Sequence, residues 1–332
     1  MENVLITGAS GFIGSNLASS LTKKKYRVKA FTREYSFHPF IDQLACEKAY
    51  GNIEDLISLK KVLSGIDTIF HTASYISFKK SDFDKAYLIN VSGTHNVLEA
   101  CLEVGVAKVV HLSAGAVLGY SMDKNTILDE TSNPKIERDN VYAYTKKLAE
   151  EEVQKYVKKG LNVSIANIAT VYGQGDRKLN SGTVIKSIYE GKMKLIPPGG
   201  TSFVSVDDLV NGLILLAQKG RSGERYIFCT ENIKYNELVQ RIASVLKVKA
   251  PSFILPGVTY YPILLTLKCI EPFLNFSKNK VNLMTTQIIK ESFGYKYYSS
   301  KKAIEELGWR PLQSLEEAVE KAFIYYKENH LM

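Results

Sequence analysis

VLITGASGFIGSNLASSL, running from Val4 to Leu21, decides how the rest of the chain reads. Val4 to Thr7 is a short apolar run of the kind that forms a buried parallel strand. Gly8, Gly11 and Gly14 follow, and a helical pattern with Ile13, Leu17 and Leu21 on one face starts at once. Each glycine answers a different need. The first permits a tight turn, the second lets a pyrophosphate approach bare backbone, and the third lets the helix pack closely on the sheet. Unpaired amides at the helix start would hold the phosphates. A glycine triplet alone is a weak signal, but placed directly after a strand it points to a dinucleotide-binding unit.

Outward from this turn, Val28 to Phe31 reads as the second strand and runs into Thr32, Arg33 and Glu34. That tip should face the adenine ribose. An arginine there pairs with the extra phosphate of NADP(H), whereas a carboxylate takes the two ribose hydroxyls of NAD(H). Arg33 sets the expectation at NADP(H) over NAD(H), with Glu34 as the competing group. A polar, turn-like stretch leads on to Asn52 and Ile53, which are expected near the adenine edge. Leu56 to Leu63 reads as a helix. Thr68 to His71 reads as a strand whose end, Thr72-Ala73-Ser74, is small enough for a cofactor to lie against backbone. His71 itself reads as a packed side chain. Asn90 to Val104 reads as a helix, and Val109 to Leu112 as a strand that delivers Ser113, Ala114 and Gly115.

Tyr142-Ala143-Tyr144-Thr145-Lys146 opens a helix expected to reach about Val157. Tyr142 and Lys146 are four apart and share a helical face. A nearby lysine and a positive nicotinamide lower a phenol's pKa, which suits Tyr142 to proton transfer in carbonyl–alcohol chemistry. Tyr144 and Lys147 lack a matching partner at that spacing. Val163 to Ile168 is a further strand, and regularity falls after about residue 175. The expected organisation is a dinucleotide-binding part over 1–175 and a substrate lobe over 176–332, with segments around 203–228 returning to the first part. Asp207 and Asp208 read as caps of the helix carrying Leu209, Leu213 and Leu216.

FILPGVTYYPILLTLKCI, from Phe253 to Ile270, holds Lys268 as its only charge, and Pro256, Gly257 and Pro262 interrupt it. A spanning helix wants about twenty uninterrupted apolar residues. The stretch is therefore expected to form a lid or wall over an apolar substrate pocket, in preference to a peripheral membrane contact. Ser300 to His330 reads as two short helices around Gly308-Trp309-Arg310-Pro311, with Trp309 in a packing role.

The bulk numbers fit an ordinary globular protein of 332 residues, 45% hydrophobic and 23% charged. Its four cysteines and five histidines are widely spread, so neither a disulfide scaffold nor a metal site is expected. The net charge of +9 comes from scattered lysines, which suits a solvated face and not a nucleic-acid site. No cleavable signal is read before the first strand, and the expected setting is a reducing, cytoplasmic one.

TGASGFIG at 7–14, NVSGTHNVLEAC at 90–101, YAYTK at 142–146, NIATVYGQGD at 167–176, FVSVDDLVNG at 203–212 and KKAIEELGWRP at 301–311 together resemble the extended short-chain dehydrogenase/reductases. The resemblance is to their NAD(P)-dependent epimerase/dehydratase and dihydroflavonol-reductase-like branch, and it covers nearly the whole chain. It implies a Rossmann-type doubly wound parallel sheet with a smaller, partly helical C-terminal substrate lobe. It implies Tyr142 as acid/base and Lys146 as nicotinamide-ribose anchor and pKa tuner. Gly8, Ser10, Gly11, Phe12, Ile13, Gly14, Asn90 and Asn167 join Arg33, Asn52, Ile53, Thr72, Ala73 and Ser74 as cofactor-binding positions. Alignment places Ala114 where the family's catalytic hydroxyl stands. Ser113, one position earlier, takes that role if the backbone turns, with Thr145 and Thr170 as alternatives. Many members dimerise through two helices, here those near 94–104 and 142–158. Relatives that hold a sugar-nucleotide pyrophosphate often carry an arginine where this chain has Thr201. That lowers a nucleotide-sugar epimerase or dehydratase below a carbonyl/secondary-alcohol oxidoreductase with a smaller or more apolar substrate. A catalytically weakened dinucleotide-binding interaction protein is the remaining alternative.

Overall fold

The computed structural model describes residues 1–34, 39–274 and 286–332. The elements in chain order are β1 (Asn3–Thr7), α1 (Phe12–Lys23), β2 (Arg27–Thr32), α2 (Pro39–Asp42), β3 (Glu47–Tyr50), α3 (Leu56–Leu63), β4 (Thr68–His71), α4 (Phe83–Tyr87), α5 (Gly93–Val104), β5 (Lys108–Ala114), α6 (Val141–Lys158), β6 (Val163–Ile168) and β7 (Thr170–Tyr172). There follow α7 (Gly182–Tyr189), β8 (Leu195–Ile196), β9 (Gly200–Ser205), α8 (Val206–Lys219), β10 (Arg225–Phe228), β11 (Glu231–Lys234), α9 (Tyr235–Leu246), β12 (Phe253–Ile254), α10 (Tyr260–Leu274), α11 (Thr286–Phe293) and α12 (Leu315–Glu328).

Seven strands form one all-parallel sheet in the order β10-β6-β5-β4-β1-β2-β3. The chain winds outward from β1 in both directions. This is the Rossmann-type doubly wound arrangement, whose ligands sit beyond the carboxyl ends of the strands where the order reverses. The central strands are apolar because both faces are covered. Val4, Ile6, Val28 and Ala30 face a core shared with α1 and α8, whereas Leu5, Phe31, Ile69 and Val109 face one shared with α3, α5 and α6. A second sheet, β11-β9-β7, and helices α7, α9 and α12 enclose a third core around Tyr172, Phe203 and Tyr326.

The segment after β9 returns to the large sheet: α8 lies on its face and β10 pairs with β6. The cap of α8 is Ser205, whose hydroxyl accepts from the Asp208 amide at 3.0 Å. Asp208 instead fastens the C-terminal segment, accepting from the amides of Leu312 and Gln313 at 3.0 Å each. Trp309 is fully buried, donates to the Asp208 carbonyl at 2.9 Å, and meets Phe228 edge-on with ring centroids 5.2 Å apart. The residues after Pro311 thus reach α12 by way of a clamp on α8. The expected helix over 90–104 begins earlier and irregularly, with a π-type turn over Leu88–Ser92 before α5. Among the described residues no helix is long and apolar enough to cross a membrane.

Trp309→Ala removes a large buried ring and its hydrogen bond to the Asp208 carbonyl. It is expected to cost about 3–5 kcal/mol in urea unfolding, and a loss under about 1 kcal/mol would deny the clamp its role.

Candidate active site

The turn after β1 is shaped by close approaches. Gly8 has φ +68°, and a Cβ there would stand 2.7 Å from the backbone of Ala73. A Cβ on Gly14 would run into the Gly8 carbonyl. The Gly11 amide closes the turn on that carbonyl at 2.9 Å. Gly11 caps α1 without any side-chain hydrogen bond, so the first amides of a twelve-residue helix face outward uncapped. Above them lies the segment after β7, tied down by Asn16 Nδ2 donating to the Gln174 carbonyl at 2.9 Å. Asp176, fully buried, is used structurally: its carboxylate accepts from the amides of Asn180, Ser181 and Gly182 at 3.0–3.1 Å and so starts α7.

One cavity of about 1190 Å³ runs from this turn across the carboxyl ends of the strands. It brings together Gly8, Ser10, Gly11, Phe12, Ile13, Gly14, Arg33, Thr72 and Ser74 with Ser113, Tyr142 and Lys146. Its size exceeds that of an ordinary ligand pocket, leaving room for a dinucleotide and a substrate together. The uncapped amides and bare glycine turn fit the pyrophosphate of such a cofactor.

Five of the expected cofactor positions lie outside the lining. Asn52 holds a turn, its Oδ1 accepting from the Glu54 amide at 3.2 Å. Ile53 is buried against Gly93, and Ala73 is the floor beneath Gly8. Asn90 pins the chain after β4 by accepting from the Tyr75 amide at 2.7 Å and donating to the Tyr75 carbonyl at 2.9 Å and to Thr145 Oγ1 at 3.0 Å. Asn167 is fully buried and donates to the Ala114 carbonyl at 3.2 Å and to Glu150 at 2.8 Å.

Tyr142 and Lys146 stand on the face of α6 turned to the sheet, with Tyr142 edge-on to Phe78 at 6.0 Å between centroids. Burial pushes the Tyr142 phenol up to about 12. Lys146 is 3% exposed and donates to the Leu112 carbonyl at 2.5 Å. Burial lowers its pKa to about 8, against an opposing pull from Glu150. In this arrangement the lysine donates to backbone, and burial alone sets the phenol's upward shift.

β5 keeps regular strand pairing through Ala114, whose backbone is extended at φ −135°, ψ 150°. The turn that would swing Ser113 into Ala114's place is therefore missing. The Ser113 hydroxyl is instead donated to Glu150 Oε1. Glu150, 2% exposed, also receives Asn167 and pairs with Arg225 at 2.7 Å. Thr145 Oγ1 is buried and donates back to the Val141 carbonyl at 2.8 Å. Thr170, by contrast, lines the cavity, with its hydroxyl 3.3 Å from that of Thr201.

The far wall holds residues that no motif announced. Tyr75, Ile76 and Phe78 come from the chain just after β4. Their position behind a strand end was the one available signal. Glu291, Lys296 and Tyr298 come from the distant C-terminal part, and Lys296 Nζ lies 3.5 Å from Glu291. Burial disfavours the Lys296 cation, but Tyr235 and Glu291 outweigh it and raise its pKa. No residue of 253–268 lines this cavity, so the expected lid is not formed there; the side chains of Cys269 and Ile270 lie outside the described residues. Among the described residues no cluster of His, Cys, Asp or Glu could hold a metal ion.

The profile of the NAD dependent epimerase/dehydratase family matches residues 4–229. Sterol demethylase protein B of Methylococcus capsulatus is 31% identical over 76% of this chain and 77% of its own. Sterol-4-alpha-carboxylate 3-dehydrogenase, decarboxylating, of Mus musculus is 29% identical over 95% of this chain and 88% of its own. The crystal structure of gox2253 superposes with a TM-score of 0.87 at 30% identity, covering 100% of both chains.

One expectation is corrected by these comparisons. Arg33 pointed to NADP(H), yet several similar solved structures hold NAD. Among them are a dTDP-glucose 4,6-dehydratase of Streptomyces venezuelae, with 21% identity, a TM-score of 0.78 and 99% and 98% coverage, and a UDP-glucuronic acid 4-epimerase of Bacillus cereus, with 21%, 0.75, 98% and 96%. The physical reason lies at the β2 tip. Arg33 is exposed at the cavity's edge and Glu34 is exposed beside it. A carboxylate there repels a 2′-phosphate and suits a free ribose diol.

Lys146 is cationic below about pH 8 and neutral above. Calorimetric affinity for NADH is expected to fall as pH rises through that value, with no step in Lys146→Met; a flat wild-type profile would remove the lysine from binding. Glu150→Gln leaves Arg225 without its buried partner, and should cost roughly 3 kcal/mol of stability. Because the Glu150 charge supports the Lys146 cation, the same variant should move the binding step to lower pH, and an unmoved step would uncouple the two.

Proposed function

The chain belongs to the NAD dependent epimerase/dehydratase family, and on that premise we propose that it is an NAD(H)-dependent enzyme acting at the carbinol carbon of a ring secondary alcohol. Bound nicotinamide supplies the hydride acceptor or donor for alcohol–carbonyl interconversion, the step on which epimerase and dehydratase reactions turn. The single observation carrying this reading is the shared cavity. It joins an uncapped helix start and a glycine turn at one end to Tyr142 and Lys146 at the other.

Tyr142 moves the proton of the substrate hydroxyl. A phenol held up by burial is a proton donor at rest, and it needs a cation close by to act as base. Lys146, buried one helical turn away, is the group able to supply that charge and to hold ribose hydroxyls. The amides at the start of α1 hold the phosphates. Ser113 supports the floor through Glu150, and Thr170 with Thr201 offers hydroxyls to the substrate end.

For the substrate, Tyr75, Ile76 and Phe78 form an apolar wall, and Thr201 places no cation where a sugar-nucleotide pyrophosphate would want one. The sterol names of the two sequence relatives point the same way, to an apolar fused-ring alcohol. Arg177 and Lys178 in the lining favour a second reading, a nucleotide sugar epimerised or dehydrated with retained NAD. Pairing of two copies through α5 and α6 belongs to either reading.

Two assays separate the readings. Dinucleotide released on denaturing the purified protein should be NAD(H) if it is retained. NADH formation from added NAD⁺ should occur with hydroxysteroids and not with nucleotide sugars; the reverse pattern hands the site to the second reading. Tyr142→Phe should lower kcat by about 10²–10⁴-fold while NADH still binds, and a variant with near-normal kcat would end the acid/base assignment.

A further inference from the structure

α10 is apolar on two sides. Tyr260, Ile263, Leu264 and Leu267 pack with Leu255 against Ile289 and Phe293 of α11. On the outer side Tyr261 and Leu265, four apart on one stripe of α10, are 77% and 68% exposed, and Val258, in the 3-10 turn just before the helix, is 83% exposed. Phe253 and Ile254 of β12 extend the apolar surface at 57% and 42% exposure. Five large apolar side chains thus stand in solvent within thirteen residues, a concentration that marks an interaction surface. From Val245 to Ile270 the chain carries three lysines, Lys247, Lys249 and Lys268, all exposed, and no Asp or Glu.

We propose that this face docks the protein on an anionic lipid surface, with Val258, Tyr261 and Leu265 entering the headgroup–acyl boundary and the three lysines at the phosphates. An exposed apolar stripe that carries a tyrosine and is followed by Lys268 is the pattern of a helix lying in the interface plane. Among the described residues no helix is long and apolar enough to cross a bilayer, and Pro262 interrupts the apolar run, so the proposed contact is of a helix lying on the surface. A second copy is a poor occupant. A two-fold contact through this face would set Lys268, three positions after Leu265 on α10, against its own copy. The inference goes beyond the catalytic reading and stands apart from it, since none of these side chains lines the cavity.

The test is flotation of the full chain with vesicles of phosphatidylcholine plus phosphatidylserine, against vesicles of phosphatidylcholine alone, over a range of salt. The wild type should float with the anionic vesicles and detach as salt rises. Val258→Ser/Tyr261→Ser/Leu265→Ser and Lys247→Glu/Lys249→Glu/Lys268→Glu should each lower the bound fraction at least about tenfold. Both should keep the wild-type unfolding midpoint and NADH affinity, because the substituted side chains are exposed. Failure of the wild type to float, or equal flotation of the serine variant, overturns the proposal. So does a wild-type dimer in sedimentation that the serine variant abolishes, since that gives the face to a second copy.

Discussion

Everything in the catalytic half depends on how closely backbone meets backbone between Gly8, Gly14 and Ala73. With no side chain on Gly14, α1 sits directly on the Gly8 carbonyl; with none on Gly8, the turn rests on the chain leaving β4. These approaches aim the uncapped start of α1 across the ends of β1 and β4. They make room there for a phosphate group, which a larger residue would deny by moving the helix. The sheet order then does the rest, because β5 and β6 on one side and β2 on the other open the crevice at that same point.

A second constraint acts under Tyr142 and Lys146. Glu150 lies two turns beyond Tyr142 on α6 and gathers Ser113, Asn167 and Arg225 onto one carboxylate. A buried charge is tolerated only when paired and hydrogen-bonded, and here three groups, from β5, β6 and β10, meet that demand. The network fixes α6 against three strands, and it keeps a negative charge near the Lys146 ammonium. The site's electrostatics and its rigidity therefore share one origin.

The C-terminal half completes the site from a distance. Glu291, Lys296 and Tyr298 reach the cavity because the chain after α11 runs back along Ser121, Leu128 and Gly200 through single bridges. Tyr298 lies against Gly115, where a Cβ would meet its ring at 2.6 Å. The substrate end is thus built from loops and bridges, which are free to vary while the dinucleotide end stays fixed.

The sequence by itself determined the sheet, the glycine turn, and the placing of Tyr142 and Lys146 one turn apart on α6, because each rests on neighbours within a few residues. Strand apolarity, glycine spacing and the four-residue helical repeat are local signals. The tertiary structure decided what depends on groups far apart in the chain. It turned Ser113 to Glu150, 37 positions away, a direction set by strand pairing that runs through Ala114. It gave Asn90 and Asn167 to backbone, since buried carbonyls needed donors there. It also placed the apolar stretch after Phe253 away from the cavity, because Ile289 and Phe293 of α11 offered one face of α10 a partner and left the other in solvent.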